Sequence, residues 1–90
     1  MPDIEHIKLD IAGIAGRPKA VSFAEIERIV GQLRDIGWSV RYRKGKETWI
    51  FYVEGEKFTV CEHNRGSAQL KPVYVKNFLR AMINLGLYGD

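Results

Sequence analysis

Between Ser22 and Gly37 the chain reads as one sharply delimited amphipathic helix, and no other segment constrains the fold as strongly. Phe23, Ile26, Ile29, Val30, Leu33 and Ile36 recur at the helical spacing of about 3.6 residues, with Glu27, Arg28, Arg34 and Asp35 on the opposite side. Ser22 and Glu25 have the spacing of a capping box, in which each side chain satisfies a backbone N–H left unpaired at a helix start. Gly37 supplies the left-handed residue that ends such a helix. A helix with one apolar stripe has to bury it, so the segments that follow must offer a matching face.

They do so as strands. From Trp38 to Arg43 the residues alternate, with Trp38, Val40 and Tyr42 on one side and Ser39, Arg41 and Arg43 on the other. Lys44 to Glu47 form a turn, and Thr48–Val53 is a β-branched and aromatic run suited to a central strand. Glu54-Gly55 predicts a tight hairpin into Lys57–Glu62, so the three strands form an antiparallel meander. His63–Gln69 has loop chemistry. Lys71-Pro72 then opens a further helix, because proline is tolerated at the first helical position, with Val75, Phe78, Leu79 and Met82 on its apolar face and Gly86 at its end. At the N-terminus, Ile4, Ile7, Ile11 and Ile14 predict a short helix, weakened by Gly13 and Gly16. The fold class is therefore α+β: a three-stranded antiparallel sheet with helices on one face, in the order α-β-β-β-α, preceded by a short N-terminal helix. A single domain over 1–90 is expected, with 1–16 as an N-terminal extension and 17–87 as the core.

With 90 residues and a single cysteine, the chain has room for one core and none for an intramolecular disulfide, which suits a reducing compartment. Acidic residues begin at Asp3 and no long uncharged apolar run occurs, so neither a signal peptide nor a membrane span is expected, and the location read from the sequence is cytoplasmic. The net charge of +3 is unevenly spread. Up to Gly37 there are five Lys/Arg against six Asp/Glu; from Trp38 onward there are nine against five. A basic second half suits a polyanionic partner or an acidic protein. If the helices cover the side bearing Val40, the opposite side carries Arg41, Arg43, Ile50, Tyr52, Lys57, Thr59 and Cys61. On such a surface, cations hold phosphates and Tyr52 stacks on a base. Metal-ligand spacing is missing from the one cysteine and two histidines, and no cofactor is expected.

Several short stretches together resemble the HicA (YcfA-like) family of toxin-antitoxin systems. They are Arg17-Pro18-Lys19 with Val21–Ile26, then Ile36-Gly37-Trp38, Arg43-Lys44-Gly45, and Leu70-Lys71-Pro72 with Val75-Lys76, spanning Arg17 to about Leu85. The resemblance implies a fold like that of double-stranded-RNA-binding domains and an mRNA interferase activity. It also implies a HicB-like antitoxin as partner, while the candidate RNA contacts, Arg41, Arg43, Lys44, Lys46, Tyr52, Lys57 and Lys71, come from the placement of the positive charges and of the aromatic residue. Active members begin the second strand with Gly-Ser-His, whose histidine acts in RNA cleavage; here the run is Gly45-Lys46-Glu47. Histidine serves that role because it exchanges protons near neutrality. The catalytic candidates left are Glu47, as a general base or simply a solvated turn residue, and His63, as a phosphate contact or simply a loop residue. A non-catalytic protein-interaction module using the open sheet face is the alternative.

Overall fold

In a computed structural model, which describes residues 3–61 and 70–89, the elements follow the order α1 (Ile4–Ala15), α2 (Phe23–Asp35), β1 (Val40–Lys44), β2 (Thr48–Val53), β3 (Glu56–Cys61) and α3 (Pro72–Asn84). The expected α+β class holds.

Each boundary has a local cause. Ser22 N–H donates to Glu25 Oε2 at 2.9 Å and Glu25 N–H donates to Ser22 Oγ at 3.4 Å, closing the capping box of α2. At its other end Gly37, with φ of 100°, lets its own N–H reach the carbonyl of Arg34 and that of Trp38 reach Leu33, both at 3.0 Å. This is the Schellman arrangement, which consumes carbonyls that the helix leaves unpaired. Gly86 ends α3 in the same way, its N–H on Ile83 and that of Leu87 on Met82. Glu54 and Gly55 both have positive φ, 49° and 87°, as a two-residue type I′ hairpin requires. Glu54 stays bound to the residue before β1: its N–H donates to the Ser39 carbonyl at 2.9 Å, and its carboxylate accepts from Ser39 N–H.

The sheet order is β1-β2-β3, both pairings antiparallel, with β2 central. Phe51, Val53, Phe58 and Val60 are buried on one side of it, and Phe78 of α3 meets Phe58 edge-on with centroids 5.4 Å apart. Phe23 of α2 contacts Trp49 and Phe51 on the same side. On the other side no strand residue is buried, so the helices lie on one face. α1 packs on α2 and α3, and its Ile7, Ile11 and Ile14 are buried in the common cluster. The isoleucine stripe outweighs the flexibility of Gly13, since each buried side chain of that size contributes about 1.5–3 kcal/mol against roughly 1 kcal/mol for a helical glycine.

Two differences from the sequence reading have physical reasons. The first strand begins at Val40 rather than Trp38, because Trp38 is still engaged in the turn that ends α2. Tyr42 projects to the helix side as expected, yet it is 58 % exposed. The reason is that α2 stands off from β1, leaving a cleft between them that Tyr42 borders.

Arg17 ties the connector to α2: its guanidinium donates to both carboxylate oxygens of Glu25 and, at 2.7 Å, to the Ala20 carbonyl. The hydrogen bond from Arg17 holds the Glu25 carboxyl below the usual range, helped by the Ser22 backbone and opposed by partial desolvation. A depressed folded-state pKa contributes stability above the unfolded-state value and loses it as pH falls through the folded-state value. The Arg17→Leu variant is therefore expected to be modestly less stable than the parent at neutral pH, as befits a solvent-screened pair. That difference should shrink as pH falls through the depressed folded-state value of Glu25, leaving only the part owed to the bond with the Ala20 carbonyl. Urea denaturation at a series of pH values measures it; a gap undiminished in acid would show that the carboxylate is not the partner that matters.

Candidate nucleic-acid interface

The strand register gathers the candidate residues in rows. Tyr52 on central β2 stands opposite Arg41 of β1 and Lys57 of β3, so a cation flanks the phenol on each side. In the next row Ile50 stands between Arg43 and Thr59, and beyond it Thr48 faces Cys61. Directly opposed residues have Cβ atoms about 4.5–5.5 Å apart, and Arg41 and Arg43, two residues apart on one strand, are separated by about 7 Å. Arg41, Arg43 and Lys57 are exposed, while Ile50, Tyr52 and Thr59 are half-buried by these neighbours. A shallow depression of about 500 Å³ is bordered by Ser39, Arg41, Tyr42, Arg43, Tyr52 and Gly55. No strand position on this face carries a carboxylate. Three cations therefore surround the Tyr52 ring, with the Glu54 carboxylate held on Ser39 at one end, and the arrangement can hold phosphates by charge and a base by stacking.

The remaining candidates are dispersed. Lys44 belongs to the opposite side of β1, where its Nζ lies over the Trp49 ring, 5.0 Å from the centroid. The alternation that separates Arg41 and Arg43 from Tyr42 also separates them from Lys44, so the basic run in the sequence is split between two faces. Lys46 is exposed in the β1–β2 turn, and Lys71 is the N-cap of α3, in the helix layer. Glu47 is exposed in that turn, closed by a bond from Gly45 N–H to the Thr48 carbonyl at 2.7 Å. His63 lies outside the described residues.

Cys61 ends β3 beside two hydroxyls. Thr48 Oγ1 is 3.6 Å from its sulfur, and the Tyr74 hydroxyl hydrogen-bonds to it, which, with partial desolvation, raises the Tyr74 pKa. Neither neighbour is a base at neutral pH, so the thiol has no activating partner among the described residues. Those residues also contain no cluster of three or more His, Cys, Asp or Glu that could hold a metal, and no helix long and apolar enough to cross a membrane.

The sequence reading missed one feature, a cleft between α2 and β1 lined in part by Tyr42 and Trp49. Its only trace in the sequence is an aromatic residue at an edge-strand position, which does not reveal how far the helix reaches.

The chain matches no protein-family model, no curated protein and no solved structure.

Proposed function

We propose that this chain is a HicA-like RNA-binding protein, a toxin or toxin-derived component of a toxin-antitoxin system, that grips RNA on the open face of its sheet. One observation carries the reading: the row Arg41–Tyr52–Lys57, with Arg43 beside it, on a face without strand carboxylates. The helix–three-strand–helix order and the stretches quoted above support the HicA-like part of the proposal. Phosphates sit on Arg41, Arg43 and Lys57, and a base stacks on Tyr52. The proposal is for binding without cleavage, because Glu47 occupies the place of the family histidine and is solvent-exposed.

Binding of a fluorescent single-stranded RNA, followed by anisotropy at several salt concentrations, tests it. Three phosphate contacts give a slope of log affinity against log salt of about −2. Tyr52→Ala should weaken binding by about 1–3 kcal/mol and leave that slope unchanged, because stacking releases no counterions. A slope near zero would remove the electrostatic basis of the reading. The RNA is expected to stay intact during the titration; cleavage that disappears in Glu47→Ala would make the chain an enzyme instead.

A further inference from the structure

The two edges of the sheet are finished differently. At β3, α3 packs along the strand through Phe78 on Phe58, and Tyr74 reaches Cys61. At β1, α2 stands off from the strand, leaving a cleft of about 240 Å³ between Val30 and Gly31 of α2, flanked by Glu27 and Arg34, and Tyr42 and Trp49 of the sheet. A Cβ added at Gly31 would meet nothing within 4 Å.

The backbone of β1 is available along the same edge. Ser39 bonds with Glu54 and Gly45 with Thr48, so in an antiparallel ladder the odd-numbered residues between them face β2. The N–H and C=O groups of Val40, Tyr42 and Lys44 therefore point outward, and β1 has no other strand partner among the described residues. Side-chain chemistry along this edge alternates as well. Arg41 and Arg43 stand on the open side, and Val40 and Tyr42 stand on the cleft side.

We infer that the β1 edge is a strand-addition site for a partner protein segment in which acidic and apolar residues alternate. Main-chain hydrogen bonds to Val40, Tyr42 and Lys44 set its position. Its carboxylates align with Arg41 and Arg43, and its apolar side chains enter the cleft beside Tyr42 and Gly31. A second copy of this chain is a poor occupant, since pairing β1 with itself sets arginines against arginines. The site stands on the strand edge and the cleft, so it does not depend on the RNA reading.

The test uses the full chain and a short soluble peptide alternating glutamate and valine, with a lysine–valine peptide and an N-methylated version of the acidic peptide as comparators. Binding is read by amide chemical-shift changes and anisotropy. The acidic peptide is expected to bind with the largest shifts at Val40, Tyr42 and Lys44. N-methylation should weaken it by more than about ten-fold, as should Gly31→Leu, which fills the cleft without touching the open face. An unchanged circular-dichroism spectrum and an undiminished urea midpoint of Gly31→Leu show that the variant is folded, whatever becomes of the RNA reading. Equal binding of the two charge patterns, or undiminished binding to Gly31→Leu, overturns the proposal. So does self-association of the free chain through the same residues, which would make a second copy the occupant.

Discussion

Phe78→Ala is expected to cost about 3–5 kcal/mol, a large share of the roughly 5–15 kcal/mol that holds an ordinary domain together. Phe78 is fully buried on α3, and its ring meets Phe58 of β3 at an interplanar angle of 76°, the edge-to-face geometry that aromatic quadrupoles favour. Truncation removes the transfer free energy of the ring and leaves a cavity where α3 joins the sheet. The neighbouring side chains of Val75 and Met82 are themselves buried on that helix face, so little slack exists to refill it. In urea the unfolding midpoint should fall steeply with an unchanged m-value, or the variant should fail to fold. Val75→Ala, a smaller deletion on the same face, keeps the prediction measurable in that case and should show a lesser loss in the same direction. A loss below about 1 kcal/mol for Phe78→Ala would mean that α3 does not close the core.

The second large effect concerns recognition. Reversing both arginines, Arg41→Glu with Arg43→Glu, removes two of the three cations on the open face and places two carboxylates beside Tyr52. RNA affinity is expected to fall by about 100-fold at low salt, and the salt slope should shrink by about 1.4, the share of two phosphate contacts to a single strand. Both side chains are exposed, so folding stability should move by no more than about 0.5 kcal/mol. Lys44→Glu is the internal control. Lys44 projects to the other side of β1, over Trp49, so its reversal should reduce RNA affinity far less than reversal of Arg43, its neighbour in the chain. Equal losses from Lys44 and Arg43 would mean that the RNA follows the turn and not the open face, and unaltered binding by the double reversal would remove the open face from consideration.

The two predictions separate what is anchored locally from what is not. The capping box at Ser22 and Glu25, the left-handed stops at Gly37 and Gly86, the Glu54-Gly55 hairpin and the Pro72 helix start each act within a few residues, so their amino acids alone suffice to announce them. Two-residue alternation likewise placed Arg41, Arg43, Tyr52 and Lys57 on one face before any coordinates were needed, because side chains in a strand point to opposite sides in turn. Joining them as a row across three strands required the register, which pairs Tyr52 with Arg41 on one side and Lys57 on the other.

Other features depended on distances between elements. Tyr42 has the alternation of a core residue and yet is mostly exposed, because its burial depends on how closely α2 approaches β1. The burial of Ile7, Ile11 and Ile14 depends on two other helices offering them a surface, and the bond between Arg17 and Glu25 depends on how the connector folds back on α2. Secondary structure, strand pairing and the sign of the open face were thus written in the order of the amino acids, since neighbours along the chain are enough to specify each. The cleft beside β1 and the free edge that borders it came only from the tertiary structure, because the space between a helix and a strand is a property of their packing and not of either alone.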